Sequence, residues 1–166
     1  MKIIRKAFVA AFVVALAPTL ALAANPVRPA HSPLLGSWSL DISRMDKPPE
    51  QRPKDVKFMF ADAGEGRLTV HVDIVYAPGS EVHSVSTVPL NGTYAVIENS
   101  PEADHVALNR PTPNVLVMAL QKDGVLVSTR IYSVMPDDHN LVETVVYPGS
   151  EDHPVMRANY FSRIRP

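Results

Sequence analysis

Residues 67–76, RLTVHVDIVY, alternate strictly as far as Ile74. Leu68, Val70, Val72, Ile74 and Tyr76 fall on one side of an extended chain, and Thr69, His71 and Asp73 on the other. A period of two marks a β-strand, because successive side chains along a strand point to opposite faces. The same pattern recurs along the chain. Residues 55–61 place Val56, Phe58 and Phe60 inward and Lys57 outward, and 34–42, 81–90, 92–97, 105–109, 114–121, 125–134, 141–147 and 154–164 read as further strands. Turn formers separate them: Ala63-Gly64-Glu65-Gly66, Ala77-Pro78-Gly79-Ser80, Lys122-Asp123-Gly124, Pro136-Asp137-Asp138-His139 and Pro148-Gly149-Ser150. Asp-Gly between two apolar runs is a strong short-range hairpin signal. Prolines 48, 49 and 53 exclude regular structure from 43–54, and Arg110-Pro111 is expected to end the 105–109 strand. No helical period is sustained after residue 24. Nine or ten short strands at this spacing form a meander, which closes into a barrel or folds into a sandwich.

The first strand carries the only tryptophan. In LLGSWSLDI, Leu34, Gly36, Trp38, Leu40 and Ile42 share one face, so Trp38 is expected to anchor the core where the folded chain begins. Gly36, two residues earlier on that face, leaves room beside the large ring for close backbone approach.

Residues 1–23 read as an address. Lys2, Arg5 and Lys6 precede an apolar run from Ala7 to Ala17, and Ala21-Leu22-Ala23 supplies a small-x-small cleavage pattern. The expected mature start is Ala24, and ANPVRPAHSP (24–33) is a proline-rich linker to a domain spanning 34–166. The apolar run is about half of what a membrane crossing needs, so no stable membrane insertion is expected. The whole chain has 16 Lys+Arg against 17 Asp+Glu; without the three leader cations the balance is 13 against 17, or −4. A mildly acidic chain with no basic run offers no footprint for nucleic acid. The chain has no cysteine, so stability rests on the core rather than on disulfides, even in the periplasmic or secreted setting expected from the leader.

Three segments in order carry a family resemblance: GSWSLDISRMDKPP, ENSPEADHVALNR and the KDGVLV hairpin. Together they resemble the small secreted bacterial lipocalin-like (calycin-type) proteins, and Gly36-Ser37-Trp38 resembles the lipocalin Gly-x-Trp signature. The resemblance covers most of residues 34–164. It implies an all-β, antiparallel up-and-down barrel of about 8–10 strands with an internal pocket for a small hydrophobic molecule. It also implies a basic residue late in the chain packed across Trp38, for which Arg163 and Arg157 both qualify.

Catalytic signatures are thin. The sequence has no HExxH, no Gly-x-Ser-x-Gly, no phosphate-cradling glycine loop and no dinucleotide fingerprint, so neither a catalytic set nor a cofactor is expected. Asp137-Asp138-His139 and Glu151-Asp152-His153 occupy turns at opposite ends of one strand and cannot share a metal ion in a monomer. His71 and Asp73 lie on the polar face of their strand without further ligands.

One constellation points to a ligand. With a four-residue loop before Leu141, Arg130 stands opposite Val145 and Tyr132 opposite Glu143, so Arg130, Tyr132 and Glu143 share a face with Val134 and Leu141. Arg beside Tyr suits a ligand carboxylate inside a barrel. The other face, assembled as Leu116, Met118, Leu120, Val127 and Ile131, is more apolar and by patterning is the expected interior, with Arg130 and Glu143 then an exposed cross-strand pair. The candidate ligand-binding set is Arg130, Tyr132, Glu143, Phe58, Phe60, Val72 and Met118, with Gly36, Trp38 and Arg163 structural. A non-catalytic carrier or sensor of a small hydrophobic molecule in the cell envelope fits these features. A barrel isomerase or hydrolase, and an envelope interaction protein with a filled barrel, are the alternatives; the size of the interior cavity separates them.

Overall fold

The structure is a computed structural model that describes residues 32–149 and 153–164. The expected leader, and the linker up to residue 31, lie outside the described residues. Ten strands follow one another: β1 (Gly36–Leu40), β2 (Asp55–Gly64), β3 (Arg67–Ala77), β4 (Ser80–Pro89), β5 (Ala95–Val96), β6 (His105–Thr112), β7 (Val115–Lys122), β8 (Val125–Val134), β9 (Asn140–Tyr147) and β10 (Val155–Ile164). Every pairing is antiparallel, and the order across the sheet is β4-β3-β2-β1-β10-β9-β8-β7-β6-β5. The gap between the two edges is spanned just beyond β5 by the bridge Val85–Glu98, where Glu98 N donates to Val85 O at 3.3 Å, and just beyond β4 by the bridge Asn91–Asn109. The result is a nearly closed up-and-down barrel.

Local differences from the sequence expectation are small. The proline-rich 41–54 segment contains two single 3₁₀ turns, Ile42–Arg44 and Pro49–Gln51, the first capped by Asp41. Strand β6 does not stop at Arg110-Pro111. It continues to Thr112 through a register irregularity between Asn109 and Thr112, which takes the proline out of the ladder. Asp123 and Gly124 have φ of 52° and 79°, the double positive φ that a tight two-residue hairpin requires.

That hairpin hides the main correction. A regular ladder from Lys122–Val125 would set Leu120 opposite Val127 and Leu116 opposite Ile131, which is the apolar face expected from patterning. Instead Gln121 pairs with Leu126 and Leu120 with Ser128, leaving Val127 as an extra residue on β8. One inserted residue exchanges the two faces of everything after it. Leu116, Met118 and Leu120 do point inward, but their partners are Tyr132, Arg130 and Ser128; Val127 and Ile131 are only partly buried. The expected interior, with Arg130 and Glu143 as an exposed pair outside it, is therefore overturned: Glu143 is 1% exposed and Tyr132 1%. The predicted β8–β9 register holds, with Arg130 opposite Val145, Tyr132 opposite Glu143 and Val134 opposite Leu141.

One end of the barrel is sealed by Trp38. The ring is fully buried, and Trp38 Nε1 donates to Leu34 O at 2.9 Å. Arg163, directly opposite in the β1–β10 register, lays its guanidinium over the ring 4.1 Å from the centroid. Arg163 also donates to Leu35 O at 2.7 Å, to Asp138 O at 2.8 Å and to Pro33 O, so one side chain ties the barrel entry, the β8–β9 loop and the last strand together. Of the two candidate arginines, Arg163 takes this role; Arg157 stands opposite Val145 instead. Gly36 serves the arginine more than the ring. Its φ is 113°, and a Cβ there would lie 2.9 Å from Arg163 Nη1. Above this seal, Phe58 stacks on Phe161 at 5.0 Å, and Tyr132 meets Phe58 and Phe60 edge-on at 5.8 and 5.5 Å.

Candidate functional site

The aromatic layer is the floor of a cavity of about 240 Å³. Its walls differ in character. Strands β2 and β3 supply Val56, Phe58, Val70, Val72 and Ile74, all from the alternating inward faces of those two strands. Strands β8, β9 and β10 supply Arg130, Tyr132, Glu143 and Asn159. Met45 and Lys47 from the β1–β2 loop, and Ser100, Pro101 and Glu102 from the β5–β6 loop, border the cavity at the end away from Trp38.

Six of the seven ligand-site candidates line this space: Arg130, Tyr132, Glu143, Phe58, Val72 and Met118. Phe60 does not. It faces inward as expected but sits one inward position closer to the sealed end, 1% exposed and packed against Tyr132. Alternation reports which face a side chain occupies and says nothing of its depth along the barrel. Four polar contributors escaped the sequence. Asn159 shares the inward parity of Phe161 and Arg163 and could have been found by extending that count. The inward serines Ser84 and Ser86 sit in the polar β4 strand, where parity was not followed. Glu102 comes from an aperiodic loop, where the sequence carries no positional signal.

The polar wall is a connected cluster. Arg130 Nη1 donates to Glu143 Oε1 at 3.0 Å, and Asn159 Nδ2 donates to Glu143 Oε2 at 2.7 Å, so both oxygens of a carboxylate 2% exposed at its side chain are engaged. Arg130 Nη2 donates to both oxygens of Glu102, at 2.5 and 2.6 Å. The Tyr132 hydroxyl lies 4.0 Å from Met118 Sδ. Two buried polar atoms have no partner among the described residues, Ser128 Oγ and Arg130 Nε, and both follow the bulge on β8. Burial alone would depress the Arg130 pKa; the negative charges of Glu143 and Glu102 oppose it and hold the guanidinium ionised. Burial, reinforced by the Glu143 charge, pushes the Tyr132 phenol well above its ordinary range, and burial also raises Tyr147 at the cavity edge. At neutral pH the site therefore presents the Arg130 guanidinium, with Lys47 at the cavity mouth, protonated phenols, and carboxylates already engaged by donors. Such a set can orient a polar group at the end of an apolar molecule.

The histidine-acid motifs lie elsewhere. Asp73 pairs across β3–β4 with His83 Nδ1 at 2.7 Å, and His83 Nε2 is 3.3 Å from Glu81, all on the outer face. Asp137 spends its carboxylate on His139 N, Asn140 N and Asn140 Nδ2 within its own turn. Among the described residues, no three His, Cys, Asp or Glu side chains are grouped to hold a metal ion. Glu151 and Asp152 lie outside the described residues. No helix among the described residues is long and apolar enough to cross a membrane.

No protein-family model matches the sequence, and no curated protein matches it. Among solved structures the chain is similar to the fluorescent protein UnaG. The wild-type structure aligns with a TM-score of 0.53 at 13% identity, covering 78% of this chain and 96% of that one. A UnaG variant aligns with a TM-score of 0.54 at 14% identity over 81% of this chain and 98% of that one. At this identity the likeness shows the fold, and the fold is a calycin-like, all-β barrel of ten antiparallel strands.

Proposed function

We propose that this protein is an exported carrier or sensor for a small hydrophobic molecule with an acidic end, acting in the periplasm or outside the cell. One observation carries the ligand: a cavity of about 240 Å³ whose apolar wall faces a largely buried arginine with a donor lacking an acceptor. A filled barrel would suit an interaction protein; a cavity just under the ~300–1,000 Å³ usual for drug-sized ligands suits a compact one. Export rests on the leader read at residues 1–23. In this arrangement the chain packs along Val56, Phe58, Val72 and Met118, and the acidic end turns toward Arg130 and Tyr132.

Native mass spectrometry of protein purified from its own cell envelope tests both parts together. The expected mass begins at Ala24 and includes a small apolar passenger. Linear monoacids then titrated into the protein gain about fourfold in affinity per added methylene, from ~0.8 kcal/mol for each buried CH₂, until the cavity is full. A double variant, Arg130→Met with Glu143→Leu, removes both buried charges at once; it weakens acids and spares the matching alcohols. An apo mass, with no binding of acids or alcohols at high micromolar concentration, would end the carrier reading.

A further inference from the structure

We propose that Glu102 is a built-in competitor for the acidic end of the ligand, seated on Arg130 where an incoming carboxylate must dock, and that it thereby sets how tightly acids bind. This rests on the carrier function proposed above. The two carboxylates on Arg130 are not equivalent. Glu143 comes from the middle of β9, its side chain is 2% exposed, and Asn159 holds its second oxygen. It is a permanent counter-ion. Glu102 comes from the loop between β5 and β6, its side chain is 40% exposed, and among the described residues no donor but Arg130 reaches its carboxylate. It can leave at the cost of a single partner.

The fork geometry of the guanidinium favours replacement. Nε–H and one N–H of Nη2 run side by side, spaced to meet the two oxygens of one carboxylate. Glu102 instead places both oxygens on Nη2 and leaves the buried Nε without an acceptor. A carboxylate arriving from within the cavity can bridge Nε and Nη2 and satisfy the donor that Glu102 misses. An acid that bound without displacing Glu102 would crowd three carboxylates around one cation, which like-charge repulsion disfavours. The loop itself need not open. Lys122 Nζ holds Pro101 O at 3.1 Å, Asp123 N donates to Asp104 Oδ2 at 2.9 Å, and Ala103 is 1% exposed, so the backbone is pinned on both sides of Glu102. Only the glutamate side chain has to rotate outward.

The selection follows from this charge count. Acids compete with Glu102 and neutral molecules do not, so wild type discriminates against acids relative to what its arginine could bind. Calorimetric titration of decanoic acid and decanol against the full-length mature protein and its Glu102→Gln variant tests this. Decanoic acid is expected to bind at least tenfold more tightly to Glu102→Gln, with decanol unchanged within twofold; Glu102→Ala must show the same acid-selective gain. Acid binding that is unchanged or weaker in both variants, while wild type binds decanoic acid, would overturn the competitor and leave the carrier intact. Equal gains for acid and alcohol would also overturn it, because they would report a loosened loop. Failure of all three proteins to bind either probe would overturn the carrier function on which the proposal stands.

Discussion

Removing the Arg130 charge alone strands a buried carboxylate, and the cost can be worked from the site. Arg130→Met leaves Glu143 at 2% side-chain exposure with one remaining donor, Asn159, on one of its two oxygens. Breaking a buried ion pair by deleting one partner costs about 3–5 kcal/mol, because an uncompensated charge stays behind. The simultaneous loss of Glu102 as a partner adds little, since that carboxylate is 40% exposed and pairs of this kind contribute about 0–1 kcal/mol. Against a typical total of about 5–15 kcal/mol, the single variant should lose a large share of its stability. Adding Glu143→Leu removes the stranded charge and sets an apolar side chain opposite Tyr132 and beside the new methionine; the double variant should return to within about 1 kcal/mol of wild type. Urea unfolding of all four members of the cycle measures this, with the m-value checked for constancy. A single variant that loses less than 1 kcal/mol, or a double variant as unstable as the single one, would refute the assignment of Glu143 as a buried, charged partner.

Trp38→Ala empties the sealed end beneath Arg163 and should cost about 3–5 kcal/mol; native Trp38 fluorescence is expected to be blue-shifted and to move red on unfolding, and emission like that of free tryptophan would contradict its burial. His83, hydrogen-bonded first to Asp73 and then to Glu81, has its pKa raised above 6.5. Its contribution to stability is therefore complete below about pH 6.5 and fades as pH rises through the raised value. An NMR titration should show the His83 midpoint fall toward 6.5 in Asp73→Asn, and an unchanged midpoint would mean the pair does not form in solution.

The barrel was legible because strands advertise themselves by period two, and Gly, Pro and Asp-Gly punctuate them. Trp38, Phe58, Val70 and Leu116 all took the faces that alternation assigns. Alternation failed in three particular places, each for a physical reason. At Val127 a bulge inserts one residue into β8, and nothing in VLVSTRIYSV marks it, so the face holding Arg130 and Tyr132 was exchanged with the face holding Ile131. Phe60 was placed on the correct side but at the wrong depth, because depth depends on where each strand starts along the barrel axis. Glu102 reaches Arg130 from a loop in which only the folded backbone fixes direction. The polar side of the cavity thus depends on one extra residue and one irregular loop, while its apolar side could be read from the chain.

Strand β1 lies in the middle of the sheet, paired with β2 on one side and with the final strand β10 on the other. For a chain emerging from its N-terminus, this ordering imposes a timetable. Hairpins β2–β3, β3–β4, β7–β8 and β9–β10 need only neighbouring residues and can form as they appear. The cover on Trp38 cannot, since Arg163 reaches back across 128 residues to the carbonyl of Leu35. Contacts of that separation carry the full entropy of closing the loop before they return any stability, and barrels dominated by them fold in milliseconds to seconds rather than microseconds. The sealed end is therefore the last part of the molecule to assemble. Until the final strand arrives, the chain is an open ribbon whose largest aromatic ring lacks its arginine cover.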